Sequence, residues 1–306
     1  MIPPSVARIS GWTLTFLSAP LLALSLYGIL ASQMPPSLEP FLDIGAACGG
    51  LGLIQAMNRI ASYFPQRVAT CIHWVHSLTF ELFAFIAVFC LRPLHYLPGY
   101  RSATGAREGR PILLIHGYMH NSSAWAYLKG WLSQEGIGPI YCLNLGYPFR
   151  PIRDFAEKVR QKAEQIEQET KRSDLILIGH SMGGLIAAWY ATQCAPGKVT
   201  DVITIGSPLA GTHMAKIGLG PNAREMECQS EFLKEFQQAI QKNTFTRFYH
   251  IGTKTDQIII PHRSSILEGS LERQFIVEDI GHLSLLFSSR VARRIHSWLT
   301  SSQLIG

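Results

Sequence analysis

From about residue 98 onwards, hydrophobic patterns typical of strands alternate with patterns typical of helices. Short apolar runs that are typical of buried strands lie at 111–116, 139–145, 174–178, 199–205, 247–252 and 275–277. Between and after them, apolar residues recur at helical spacing over 124–134, 154–171, 185–190 and 283–300. Strands that alternate with helices predict an α/β fold, with a mostly parallel sheet covered by helices on both faces.

The first third of the chain has a different pattern, in which charge is almost absent. Residues 1–106 hold three acids, and no charged residue occurs between 9 and 38. The stretch 12–32 is long enough to cross a bilayer as a helix, and a cleaved signal peptide is the competing interpretation. A second stretch, 41–58, carries Gly45 and Gly49 at the G-x-x-x-G spacing of closely packed membrane helices, although a soluble glycine-rich loop is the alternative.

A third apolar stretch, 77–91, contains Glu81, whose charge is costly inside a membrane. It can cross the membrane, lie in the interface, or cover the core of the following domain as a buried helix. The predicted organisation is therefore an N-terminal apolar helical region at 1–97 that is embedded in a membrane, a polar linker at 98–110, and an α/β domain at 111–306.

The positions of the arginines predict how the N-terminal segments are oriented in the membrane. If 12–32 and 41–58 form a hairpin, then Arg8, Arg59, Arg67 and Arg92 share one side, while the connecting loop holds Glu39. Because positive residues favour the cytoplasmic side, this predicts an inner-membrane protein whose C-terminal domain faces the cytoplasm.

The overall composition narrows the classes of partner. Apolar residues make up 47 % of the chain and charged residues 16 %, with a formal net charge of +6. No dense basic run interleaved with aromatic residues occurs, so a nucleic-acid partner is not expected, and weak attraction to anionic lipid is the better interpretation. Of the six cysteines, Cys142, Cys194 and Cys228 lie in the C-terminal part without C-x-x-C spacing. This spacing argues against a disulfide framework and against a zinc site, and it favours a reducing compartment.

The most informative motif is G-H-S-M-G-G at 179–184, which directly follows a buried-strand pattern and leads into a helical one. A G-x-S-x-G turn between a strand and a helix is the arrangement of a nucleophile elbow, which lifts a serine hydroxyl above a sheet. The motif is common by chance, but its context predicts that Ser181 is a nucleophile.

A serine nucleophile needs a histidine base, and in this arrangement the base follows an acid in chain order. The downstream histidines are His213, His250, His262, His282 and His296. We predict His282, because it follows Gly281 in a loop between a short strand and the final helix.

The acid is expected in the loop after the preceding strand. Asp256 lies in such a loop, directly after the strand that ends near residue 252. Asp279 is the main alternative because it is close to His282 in sequence. Asp201 opens a strand and so lies at the wrong end of the sheet.

Negative charge that develops during attack needs backbone N–H donors. Met182, directly after the nucleophile, supplies one. The second is expected from the loop after the first strand, which reads His116-Gly117-Tyr118-Met119, and Tyr118 is the predicted donor.

These motifs, together with Gly206-Ser207-Pro208-Leu209-Ala210-Gly211-Thr212 and Gly281-His282, resemble the α/β-hydrolase superfamily, and within it bacterial lipases and esterases. The resemblance covers about residues 110–300. It implies Ser181 as nucleophile, His282 as general base and acid, Asp256 as the residue that orients His282, and Tyr118 and Met182 as oxyanion donors. It implies no metal and no organic cofactor. Some secreted lipases hold calcium through an aspartate just behind the catalytic histidine, but no acid follows Asp279 here, so no such site is expected.

Residues 209–246 interrupt the strand–helix alternation and are predicted to be an insertion above the site. Apolar residues at helical spacing in 231–236 are compatible with a mobile amphipathic lid, with a fixed cap, or with an ordinary surface helix.

The function expected from these features is a membrane-tethered serine hydrolase that cleaves carboxylic esters of lipid or acyl type through an acyl-enzyme. An acyltransferase or a thioesterase on the same fold is the first alternative. A non-catalytic membrane adaptor is an alternative of another class, although such a protein has no chemical need of Ser181, Asp256 and His282 together.

Overall fold

The computed structural model describes residues 65–97, 100, 103–106, 108–267 and 273–303. The chain divides into two compact units, Met1–Leu82 and Phe83–Gly306. The predicted membrane segments 12–32 and 41–58 lie outside the described residues. The strands and the site described below belong to the second unit.

A six-stranded sheet forms the centre of this unit, and all of its neighbouring strands are parallel. The strands are β1 (Ile112–Ile115), β2 (Ile140–Leu143), β3 (Leu175–His180), β4 (Val199–Ile205), β5 (Arg247–Thr253) and β6 (Gln274–Val277). Their order across the sheet is β2-β1-β3-β4-β5-β6. The predicted α/β-hydrolase fold class is thereby confirmed, and each predicted strand is present to within a few residues at its ends.

The α-helices are α1 (Pro65–Leu91), α2 (Ala126–Gln134), α3 (Ile152–Thr170), α4 (Met182–Trp189), α5 (Pro221–Glu225), α6 (Glu231–Lys242) and α7 (Ser289–Gln303). The predicted final helix at 283–300 is interrupted. It begins as a 3-10 helix, Ser284–Phe287, which ends at the extended residue Ser288. The Ser288 hydroxyl then accepts from the amide of Val291 (3.4 Å), and such capping by a serine starts a new helix.

Alternate residues of β1 enter the two halves of the core. Ile112 and Leu114 pack with residues of α2 and α7, whereas Leu113 and Ile115 pack with residues of α3 and α4. A strand that is apolar at every position is buried on both faces, and each fully buried Ile or Leu stabilises the fold by about 1.5–3 kcal/mol. The two clusters fix the sheet edge that carries the site.

The C-terminal turns of α1, from Phe83 onwards, belong to the second unit. Ala84 and Val88 are buried, and Val88 belongs to the same cluster as Ile112. In contrast, Phe83, Ile86 and Phe89 are 64 %, 49 % and 39 % exposed. By length and composition, the window His73–Tyr96 is apolar enough to cross a membrane, and it is the one such helix in the described part of the chain. The last turns of the helix thus combine a face packed on the core with an exposed apolar face.

The predicted insertion at 209–246 contains a 3-10 helix (His213–Ile217), α5 and α6. The side chains of Phe232, Leu233 and Phe236 in α6 are buried in the same cluster as α4. This helix therefore has a buried apolar face, which is compatible with each of the three alternatives for it. Ile217 and Leu219, by contrast, are 74 % and 61 % exposed.

Candidate active site

Ser181 lies between β3 and α4 in a strained backbone conformation, with φ 55° and ψ −128°. A residue other than glycine adopts such a conformation only where the surroundings enforce it. Here the amide of Ser181 donates to the carbonyl of Ile205 in β4 (2.9 Å), which ties the turn to the neighbouring strand. The geometry is that of a nucleophile elbow.

Two glycines let β1 approach this turn closely. A Cβ at Gly183 would lie 2.1 Å from the carbonyl oxygen of Ile115, and a Cβ at Gly117 would lie 2.8 Å from the Cβ of Ser181. Real Cβ atoms do not come so near to backbone, so any side chain at position 183 would push the helix away from β1. The loop after β1 therefore lies directly beside Ser181.

Asp256 and His282 form a buried pair at this edge of the sheet. His282 Nδ1 lies 3.0 Å from Asp256 Oδ2, and both side chains are almost completely buried. The other carboxylate oxygen of Asp256 accepts from the amides of Ile258 (2.8 Å) and Ile259 (2.7 Å). The carboxylate is thus fixed by backbone donors. Its Oδ2, which faces His282, favours the tautomer of the imidazole that carries its proton on Nδ1.

The alternative acids take part in other contacts. Asp279 forms an ion pair with Arg290 (2.5 Å) at the surface. Asp201 is buried between Arg110 and Arg247, at 2.8 Å from each. Neither contact involves His282, so the structure brings together the acid and base that the sequence predicts.

His180, directly before Ser181, connects the elbow to the loop of His282. Its Nε2 lies 3.2 Å from the carbonyl oxygen of His282, and the two ring centroids are 4.7 Å apart. The hydroxyls of Thr253 (2.5 Å) and Thr255 (2.9 Å) both donate to the carbonyl of Ile280 and hold the loop to the end of β5. The predicted nucleophile and base are therefore carried by elements in direct contact.

The predicted oxyanion donors also lie at this edge. Met182 begins α4, so its amide is one of the first-turn N–H groups that no helical carbonyl can accept. The Gly117 carbonyl accepts from the His116 ring (Nδ1, 2.9 Å) and from the amide of His120 (3.3 Å). Because C=O and N–H point in opposite directions across a trans peptide, these bonds fix the direction of the Tyr118 amide. The donor roles of Tyr118 and Met182 stay predictions.

The remaining candidate histidines have other surroundings. His250 Nδ1 lies 2.9 Å from the Thr204 hydroxyl inside the sheet. His296 packs edge-on against Trp131 in α2, and the ring of His213, on the 3-10 helix His213–Ile217, lies 3.8 Å from the Cys228 sulfur. Among the described residues, no group of three or more His, Cys, Asp or Glu side chains is arranged to hold a metal ion.

Sequence reasoning missed a layer of buried histidines around the site. The His120 and His180 rings stack at 6.0 Å, and His116 accepts from the Leu145 amide (3.0 Å) through Nε2. Burial lowers the pKa of His116 to about 4 and that of His120 to about 3, and it holds the pKa of His180 well below its ordinary value. Their position within the two motifs, H-G-Y-M-H and G-H-S-M-G-G, is the signal that could have found them.

Stability is expected to fall steadily as the pH drops from about 6.5 towards 4. Burial lowers the pKa of His250 to about 4 as well. Unfolded histidines bind protons below about pH 6.5, whereas these buried rings stay neutral to about pH 4, so acid favours the unfolded chain. Each such ring contributes a slope of about 1.4 kcal/mol per pH unit in this window. Denaturant unfolding of the full chain in detergent at several pH values measures the slope.

His250→Gln is expected to reduce that slope by one ring's share. Thr204→Val removes the partner hydroxyl but keeps the ring, so it should lower the free energy of unfolding at every pH and leave the slope unchanged. A slope in His250→Gln equal to that of the native chain would contradict the assignment.

Comparison with known proteins agrees with the fold. The sequence model described as "Alpha/beta hydrolase family" matches residues 112–292, which is more than half of the chain. The protein therefore belongs to the alpha/beta hydrolase family, and the resemblance seen in its motifs is confirmed.

Two curated relatives indicate the range of similar proteins. A pimeloyl-[acyl-carrier protein] methyl ester esterase of Aliivibrio salmonicida is 32% identical over 102 residues, 33% of this chain and 37% of that protein. The 1-acylglycerol-3-phosphate O-acyltransferase ABHD5 of Rattus norvegicus is 33% identical over 103 residues, 31% of this chain and 28% of that protein. The chain spans about half or less of the length of the curated relatives it matches.

Among solved structures, the mature lipase BlEst2 of Bacillus licheniformis superposes with a TM-score of 0.56 at 15% identity, covering 65% of this chain and 95% of the lipase. The monoacylglycerol lipase of Paleococcus ferrophilus gives 0.50 at 18% identity, covering 65% and 97%. At these identities the likeness concerns the fold. Together, the comparisons establish the family and the fold of this chain.

Proposed function

We propose that the protein is a membrane-associated serine hydrolase that cleaves carboxylic esters of lipid or acyl type. The observation that carries the proposal is the buried hydrogen bond between His282 and Asp256 beside the strained turn of Ser181. A carboxylate that accepts from Nδ1 of an imidazole keeps the ring proton there, so that Nε2 is the basic nitrogen, and the elbow presents a hydroxyl as its substrate-attacking partner.

The reaction proceeds in two halves. Ser181 Oγ attacks the ester carbonyl and gives its proton to His282 Nε2, while the amides of Met182 and Tyr118 receive the developing oxyanion. The intermediate collapses, and the alcohol leaves with the proton from His282. A water molecule then attacks the acyl-enzyme, again losing a proton to His282, and the acid is released as the Ser181 hydroxyl is restored.

Apolar exposure favours a lipid over a small polar ester. The Tyr118 hydroxyl both donates to the carbonyl of Leu219 (2.8 Å) and accepts from its amide (2.9 Å), so the exposed Ile217 and Leu219 lie next to the predicted oxyanion loop. Tyr147, which is 62 % exposed, is linked to the same place through Phe149, whose ring contacts both Tyr147 and Tyr118. Ile217, Leu219 and Tyr147 thus form an exposed apolar rim beside the loop. Such a rim matches an acyl chain or a membrane surface.

The membrane part of the proposal combines the N-terminal segments with α1. From the sequence alone, we infer that the segments 12–32 and 41–58, which lie outside the described residues, anchor the chain in the inner membrane, with the domain at 111–306 on the cytoplasmic side. The exposed side chains of Phe83, Ile86 and Phe89 favour an interfacial position for the end of α1, since Ala84 and Val88 are packed on the core. The relatives named above act on acyl groups, which supports the same substrate class.

Acyl transfer is the second candidate, because one relative is a 1-acylglycerol-3-phosphate O-acyltransferase. The acyl-enzyme is the same in both reactions, and only its acceptor differs. An alcohol of a second lipid would replace water in the second half of the reaction.

Labelling with a fluorophosphonate tests the proposal on the full chain in phospholipid vesicles. We expect one modified peptide, with the adduct on Ser181, and release of fatty acid from a monoacylglycerol. Ser173→Ala, a change at an exposed serine before β3, should label like the native chain. Acylated lipid alcohol in place of fatty acid would favour the acyltransferase. A native chain without any adduct and without either product would refute the proposal.

A further inference from the structure

We propose that Arg92 and His95, which directly follow α1, are positioning residues that hold the oxyanion loop (residues 116–122) in its active conformation. The inference rests on the proposed function, because it assigns a role within that same site. Both residues belong to the short 3-10 helix Arg92–Tyr96, outside the segment that the family match covers.

Arg92 is bonded to the loop in both directions. Its guanidinium donates to the carbonyl of Met119 (3.0 Å), and its own carbonyl accepts from the Asn121 side chain (3.2 Å). Met119 adopts a positive φ of 61°, which is unfavourable for a residue with a side chain. A charged donor on the carbonyl of the strained residue stabilises a conformation that the loop would not keep alone.

His95 makes a second connection through Asn144. The Asn144 amide donates to His95 Nε2 (2.7 Å), so the ring proton is on Nδ1, which donates to the Ser122 hydroxyl (2.7 Å). Asn144 also lies 3.3 Å from the His116 ring. His95 thereby contacts the far end of the loop, and through Asn144 it reaches the ring beside its start.

The loop matters because of what its carbonyls control. His116 accepts from the Leu145 amide through Nε2, so its Nδ1 carries the proton that holds the Gly117 carbonyl. The Gly117 carbonyl sets the direction of the Tyr118 amide, and the Met119 carbonyl fixes the Met119–His120 peptide, two peptide planes further along. With the peptides on both sides of the Tyr118–Met119 unit held, the Tyr118 N–H is aimed at one point, which is what an oxyanion donor requires.

The key test measures transition-state binding separately from ground-state binding. The full-length chain in detergent hydrolyses p-nitrophenyl butyrate and is inhibited by an alkyl trifluoromethyl ketone, whose adduct with serine carries an oxyanion. The methyl ketone of the same chain length measures binding without the adduct. Arg92→Ala is expected to lower kcat by about 10- to 100-fold with little change in KM, as expected when a donor is misaligned.

The inhibitors and a chemical rescue distinguish positioning from general damage. The affinity for the trifluoromethyl ketone should fall by the same factor as kcat. The affinity for the methyl ketone should equal that of the native chain. Added guanidinium ion should restore part of kcat in Arg92→Ala. Arg92→Lys, which keeps a cationic donor, should retain more activity than Arg92→Ala. Arg172→Ala, which removes a surface ion pair with Asp174, is the matched control and should behave like the native chain.

Two outcomes would overturn the inference while leaving the proposed function intact. One is native kcat in both Arg92 variants. The other is an equal weakening of both ketones, which would show that the whole pocket has changed shape. His95→Gln is expected to follow Arg92→Ala with a smaller loss, and unchanged kcat there would remove His95 from the role. An inactive native chain would instead refute the proposed function.

Discussion

Ser181→Ala is expected to lower kcat for ester hydrolysis by about 10⁵- to 10⁶-fold, because no other group can form the acyl-enzyme. The melting temperature should be nearly unchanged. Alanine keeps the Cβ, so the strained backbone at φ 55° costs the same, and the amide bond to Ile205 is retained. Steady-state kinetics and thermal unfolding of the full chain measure the two quantities.

Ser173→Ala serves as the matched control and should retain native kcat. The residual rate of Ser181→Ala must be insensitive to fluorophosphonate, which excludes a contaminating hydrolase. Activity within tenfold of the native chain would remove Ser181 from the mechanism. A large fall in melting temperature would instead indicate that this serine is needed for folding.

Asp256→Asn is expected to lower kcat by about 10⁴-fold, with little effect on folding. The Asn oxygen can still accept hydrogen bonds from the amides of Ile258 and Ile259, and this places its NH₂ group against His282 Nδ1. That nitrogen must then accept, and the ring proton moves to Nε2. The imidazole would present a donor to Ser181 where a base is required. The measurement is kcat at neutral pH, together with the melting temperature.

Asp279→Asn is the matched control, since it removes the charge of the other acid near His282, which forms an ion pair with Arg290. It should retain native kcat. If Asp279→Asn were the damaging change and Asp256→Asn the silent one, the assignment of the orienting acid would be wrong.

Much of the fold could be predicted because strands that are buried on both faces are apolar at nearly every position. The strand at 199–205 was predicted at its observed bounds, and the elbow strand differs by a residue or two. The break at Ser288 was not predicted, because 283–300 keeps helical spacing across it and the cap is a local hydrogen bond. The choice among a lid, a cap and a surface helix for 231–236 stays open, because hydrophobic periodicity predicts the buried face of α6 but not what it packs against or whether it moves.

The candidate site, too, could be predicted from the sequence only in part. The predicted residues lie in motifs or in loops at one edge of the sheet, so chain order and strand direction were enough to place Asp256 and His282 together. The contacts of His180 with the His282 loop, and of Arg92 with Met119, join residues far apart in sequence. Their residue types are compatible with many surroundings, and no spacing rule relates them.

The way the chain enters the hydrolase unit affects how a smaller soluble version should be designed. The pattern of strands suggests a cut near residue 111, yet Val88 fills the core there, and Thr104 pairs with Ile140 at the sheet margin (2.8 and 3.2 Å). A version starting at 111 would lose the buried side chain of Val88. It would also leave backbone groups of the edge strand β2 unpaired, and such exposed edges favour aggregation. Crystallisation trials and activity screens are better begun from position 83, with Phe83, Ile86 and Phe89 changed to polar residues.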